Sequence, residues 1–137
     1  MTIAGLVQKG RLERIPADRQ SALVIGEEAE RHLWSAEQIT RGDPNGAYQL
    51  VYEGLRKALV AHMLSEGLRA TNRPGAHAAV GEYGVTAGLL ADIRRFDRIR
   101  KNRHRSAYEL AFFDEDEIAV DLAFAREIAE SVRGILK

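Results

Sequence analysis

From Ala47 to His62, small and apolar side chains trace one helical face for four turns: Ala47, Leu50, Val51, Gly54, Leu55, Ala58, Leu59 and His62. Positions three and four apart share a face only at the helical period. A stripe of this length needs other elements to bury it.

Comparable patterns fill most of the chain. Ile25, Ala29, Leu33 (or His32), Ala36 and Ile39 predict a helix over 18–42, closed by the turn signal Gly42-Asp43-Pro44-Asn45-Gly46. Gly67 is a stop for the central helix, and Leu68 to Gly75 reads as a polar, exposed connection. A third helical region runs from about Ala76 to Arg105, broken near Gly84 or Gly88. Its second half carries Leu89, Leu90, Ile93, Phe96 and Ile99 on one face and arginines on the other. Between Tyr108 and Phe113 the pattern loosens. Asp114 to Glu117 then opens a last helix, where carboxylates face the positive end of the dipole and cap free amides. Its buried face is Ile118, Leu122, Ala125, Ile128, Ala129, Val132 and Leu136.

Pro16, Pro44 and Pro74 each fall where the periodicity breaks. No strand-like alternation is visible. The expectation is an all-α fold, an antiparallel bundle of four to five helices over 18–137. It is preceded by an arm, 1–17, made of a short helix and an extended piece.

At 137 residues the chain fits one domain with a core of its own. It has no cysteine, which excludes disulfide scaffolds, thiol nucleophiles and Cys-ligated metals. No apolar run approaches the roughly 20 residues that cross a bilayer, and the N-terminus lacks the pattern of a secretory signal. A cytoplasmic protein with no membrane contact is expected. The four histidines have no metal-ligand spacing, and phosphate-loop, nucleophile-elbow and dinucleotide motifs are absent. No metal and no cofactor are expected.

The charge is unevenly distributed. The net charge is zero, yet Arg94 to Arg105 holds Arg94, Arg95, Arg98, Arg100, Lys101, Arg103 and Arg105, with His104 among them and Tyr108 close behind. A neutral chain that gathers cations beside an imidazole and a phenol has a local place to meet phosphate. Arg98, Arg100 and Lys101 are the candidate phosphate-binding residues.

Three stretches together resemble the HEPN superfamily of small helical bundles. They are the helix pair AERHLWSAEQI and GAYQLVYEGLRKALVAHML, the loop GLRATNRPGAH, and the basic helix end RIRKNRHRSAYE followed by an amphipathic helix. The resemblance covers roughly residues 20–137. It implies a homodimer whose motif helices meet at a cleft, and a metal-independent endoribonuclease activity. It also implies a place in a toxin–antitoxin or defence pair with a nucleotidyltransferase antitoxin as partner.

The family motif is an Arg, often followed by a polar residue, then a His four to six residues on. Two registers fit. One pairs Arg98 with His104. The other sets Arg103 on the motif Arg and His104 on the polar position, with Tyr108 where active members carry His, so the resemblance implies Arg103, His104 and Tyr108 as the candidates for catalysis.

Histidine moves protons near neutral pH, and arginine holds phosphate bidentately. A phenol of pKa about 10 is a poor base there. On one regular helix Arg100 and His104 share a face, whereas Arg98 and His104 are about 240° apart. Arg103 and Tyr108 converge only if the helix ends or bends between them, or across a two-fold axis.

The readings are therefore a ribonuclease, a non-catalytic dimer that binds RNA, nucleotide or a nucleotidyltransferase partner, and a purely structural bundle. In the structural reading the arginines are a solvated face paired with acidic residues, and His104 is an ordinary surface residue. Tyr108 then packs between the last two helices. His32 and His62 read as packed histidines, and His77 as a loop or helix-start residue.

Overall fold

Three aspartates start three of the long helices. Each side chain accepts a hydrogen bond from the backbone N–H three residues on, which satisfies a donor the helix leaves free. Asp18 accepts from Ser21 at 3.0 Å, Asp43 from Gly46 at 2.9 Å and Asp114 from Glu117 at 2.7 Å. In the computed structural model, which describes residues 1–75, 78–109 and 112–137, they cap α2 (Arg19–Ile39), α3 (Pro44–Ser65) and α6 (Glu115–Leu136). Helix α3 begins three residues before the expected Ala47. Pro44 suits the first helical turn, where no N–H is needed, so the turn signal ends one helix and caps the next.

The other elements are α1 (Ile3–Gln8), β1 (Leu12–Arg14), β2 (Leu68–Ala70), α4 (Ala79–Thr86) and α5 (Arg94–Tyr108). The third helical region is broken, as expected: α4 ends ahead of Gly88, whose φ of 77° is left-handed backbone. His77 lies outside the described residues.

The chain is mostly helical, with six helices among the described residues. Neighbouring side chains give the directions. Gly26 lies against Ala61 and Gly54 against Leu33, so α2 and α3 are antiparallel. Glu37 bonds Arg126 and Glu30 bonds Arg133, so α2 and α6 are antiparallel too. Phe96 packs near Tyr52 while Asn102 reaches Tyr48, so α5 runs antiparallel to α3. Helix α4 closes one end through Tyr83 against His62 and Gly84 against Leu59.

One expectation is corrected. β1 and β2 form a two-stranded antiparallel sheet, with Leu12 opposite Ala70 and Arg14 opposite Leu68. Three residues per strand are too few to show alternation in sequence. The pairing is extended by Ile15 N–H to Gly67 C=O at 2.9 Å and Thr71 N–H to Arg11 C=O at 3.0 Å. The segment Leu68 to Gly75 is therefore not wholly an exposed connection, and Leu68 is buried. Residues 1–17 are woven into the same core: Leu6 and Leu12 are buried in it, and Arg11 pairs with Glu82 on α4.

Candidate nucleic-acid interface

Helix α5 runs unbroken from Arg94 to Tyr108 and is anchored by Phe96 and Ile99, both fully buried. Around that anchor its charged residues divide among three faces.

The face toward α6 is engaged within the chain. Arg98 donates to Asp121 Oδ1 at 2.6 Å, and Arg95 lies 3.7 Å from the same oxygen. The Arg95 guanidinium also sits over the Phe124 ring, 4.3 Å from its centre. Asp121 is only 2% exposed, and its other oxygen accepts from the Tyr48 hydroxyl at 2.6 Å. Asn102 Nδ2 donates to the Tyr48 oxygen at 3.2 Å. Burial, then the bond to Asp121, raises the Tyr48 phenol above its usual pKa, so it stays a donor.

The face toward α3 carries Arg100 and Arg103, beside Tyr52, Glu53 and Arg56. Burial raises the Tyr52 phenol, and the positive charges of Arg56, Arg100 and Arg103 act against that. Burial also works to raise Glu53, but bonds from Arg56 and the charges of Arg56, Lys57 and Arg103 hold it below its usual value. Arg100 lies 3.7 Å from Asp97. Arg103 makes no ion pair among the described residues, and its Nε is buried without a hydrogen-bond partner.

The outer face presents Lys101, His104, Arg105 and Tyr108 to solvent. The His104 and Tyr108 rings are in contact, their centres 4.8 Å apart, and Tyr108 is 71% exposed. Tyr108 is thus not packed between the last two helices. Arg105 has Glu109 at 3.7 Å.

The structure brings His104 and Tyr108 together. It sets Arg98 on a different side of α5 from His104, as regular helical geometry requires. Arg103 and Tyr108 do not converge within one chain, because α5 neither ends nor bends between them. Among the described residues, carboxylates pair with Arg94, Arg95, Arg98, Arg100 and Arg105, while Arg103 makes no ion pair and acts on Glu53 through its charge.

The residues missed in the sequence are Asp121, Tyr48 and Asn102. Asp121 sits inside the apolar stripe of α6, between Ile118 and Leu122, and a carboxylate there signals a buried partner. Of the histidines, His62 is buried with Nδ1 2.6 Å from the Tyr83 oxygen, and His32 bonds Lys57 at 2.9 Å. Among the described residues no three of His, Asp or Glu converge to hold a metal ion, and no helix is long and apolar enough to cross a membrane. No family model, no curated protein and no solved structure matches the chain.

Proposed function

We propose that this is a HEPN-like antiparallel bundle of four to five principal helices that pairs as a homodimer and binds RNA through the outer face of α5 and the half-buried Arg103 at its border with the α3 face. One observation carries the reading. Beside cations that carry no ion pair among the described residues, Lys101 and Arg103, the rings of His104 and Tyr108 stand in contact and open to solvent. Single-stranded RNA is held by that combination: cations follow the phosphates and flat side chains stack on bases.

Metal-independent cleavage is the second reading, favoured by the exposure of His104. Its imidazole would take the 2′-hydroxyl proton as that oxygen attacks phosphorus, a guanidinium would hold the phosphate, and the departing 5′-oxygen would take a proton from water or the imidazolium, leaving a 2′,3′-cyclic phosphate and a 5′-hydroxyl. Since Arg103 and Tyr108 lie on different sides of one α5, cleavage requires residues from two copies at one cleft.

The test is fluorescence anisotropy of a labelled single-stranded 12-nucleotide RNA in EDTA, with the RNA recovered and run on a denaturing gel. Binding that weakens with salt and leaves the RNA intact supports the binding module. Cleavage that disappears in Arg103→Ala supports the enzyme. No binding at low salt refutes both.

A further inference from the structure

Helix α2 buries Ala22, Ala29, Leu33 and Ala36 on one side. Its opposite side is a stripe of exposed residues: Gln20, Val24, Glu27, Arg31, Trp34 and Gln38. Their spacing alternates four and three, which keeps them on one narrow face over a length of roughly 27 Å. Val24 is 57% exposed and Trp34 62%, and both are expensive to leave in water. Glu27 and Arg31 make no ion pair among the described residues. Their acidic neighbours are engaged elsewhere, Glu28 with Lys57 and Glu30 with Arg133. The adjoining α2–α6 groove is balanced in charge, with Glu27, Glu30 and Glu130 against Arg31, Arg126 and Arg133.

The stripe is complementary to its own reversal. About a midpoint level with Ala29, Gln20 mirrors Gln38, Val24 mirrors Trp34 and Glu27 mirrors Arg31. We infer that a second copy of this chain docks here, α2 against α2 and antiparallel, about a two-fold axis level with Ala29. Each Glu27 then meets Arg31 of the other copy, twice by symmetry, and each Trp34 meets Val24 of the other copy. Opposite charges meet and apolar groups meet, so closing the seam strands no charge. A parallel pairing would set Glu27 on Glu27 and Arg31 on Arg31. A partner of one charge sign would leave either Glu27 or Arg31 unmatched. Charge complementarity therefore selects a second, antiparallel copy.

This deepens the homodimer part of the proposed function and rests on it, but on no part of the RNA binding. On α6, Arg126 and Arg133 bond α2, whereas Asp121 and Phe124 meet α5 from nearly the opposite side of the helix. Pairing through α2 thus sets the two α5 faces at far ends of the dimer. They are free for RNA and cannot share one cleft, which fits the binding module and not cleavage by two copies together.

Sedimentation velocity of the full chain over a concentration series tests the seam. A single-helix seam is small for an interface, so pairing is expected at micromolar concentration. Glu27→Arg sets Arg against Arg, and Arg31→Glu sets Glu against Glu. Each is expected to weaken self-association about tenfold. Mixed one to one, the two variants carry opposite charges at both contacts and should pair as wild type does. Both positions are exposed, and recovery on mixing shows that each variant is folded. Trp34 is the chain's single tryptophan, so its emission should shift to the blue as pairing covers the indole.

Dimerisation undiminished in both single variants would overturn the inference and leave the homodimer to another face. Weakened variants that unfold normally in urea yet fail to pair when mixed would overturn it too. A wild type still monomeric at about 1 mM would remove the inference and the homodimer together. RNA binding by that monomer would leave the binding reading of α5 standing.

Discussion

The Tyr48 hydroxyl donates to Asp121 Oδ2 at 2.6 Å, while Arg98 takes the other carboxylate oxygen at 2.6 Å. This one buried carboxylate therefore joins α3, α5 and α6. Removing one partner of a buried bond leaves the other unsatisfied, which costs more than the bond contributes net. Asp121→Ala is expected to destabilise the fold by about 2–3 kcal/mol and Tyr48→Phe by about 1–2 kcal/mol. Urea unfolding checks both. Values near zero for Asp121→Ala would mean the network does not hold α5 in place.

If α5 binds RNA as proposed, the same network decides which of its cations are left for phosphate. Removing a side chain that neutralises one phosphate lowers the slope of log affinity against log salt by about 1. Lys101→Ala and Arg103→Ala are each expected to do so. Arg98→Ala should leave the slope unchanged and lower the unfolding midpoint instead, because its guanidinium is committed to Asp121. Anisotropy titrations across a salt series separate these outcomes. A slope that falls as much for Arg98→Ala as for Lys101→Ala would contradict the division of α5 into faces.

The helices are legible in the sequence because their apolar stripes are long. In α6 every position expected to be buried, from Ile118 to Leu136, is buried. The β1–β2 pairing is not legible, since only Leu12 and Leu68 are buried in it and its strands lie far apart in sequence. The start of α3 is ambiguous because Asp43-Pro44 reads equally as a turn and as a cap. At the candidate site the cluster of charge is plain, but its division is not. Arg94, Arg100 and Arg105 meet carboxylates close by in sequence, Asp92, Asp97 and Glu109, whereas Arg95 and Arg98 are engaged by Asp121, which α6 brings to them, and that is a tertiary fact.

Gly67 joins the first residues of the chain to the end of α3. Its φ is 74°, and a Cβ there would lie 2.8 Å from the Ile15 carbonyl oxygen, a backbone atom that cannot swing away as a side chain can. Gly88 has a similar φ of 77° but open space around it. Gly88→Ala should therefore cost only the left-handed backbone strain, about 1–2 kcal/mol. Gly67→Ala should cost that and about 1–3 kcal/mol more for the clash. Equal costs in thermal or urea unfolding would show that the 15–17 segment moves aside freely.

His62 makes stability depend on pH in a direction that can be worked out. It is 8% exposed, and burial holds its pKa below the usual value, with Glu66 acting weakly the other way. In the unfolded chain the imidazole protonates near its ordinary pKa of about 6.5. As pH falls through that value the unfolded state takes up a proton before the folded state does. The contribution of His62 is thus fully present above about 6.5 and is lost as pH falls toward the folded pKa. His62→Gln should lower stability at pH 7.5, because the Tyr83 hydroxyl loses its partner at 2.6 Å. Its stability should then decline less steeply than wild type between pH 7 and pH 5, by at most about 1.4 kcal/mol per pH unit. Paired urea titrations across that window measure the difference. Parallel curves would mean that His62 titrates alike in both states and that its burial has no energetic consequence.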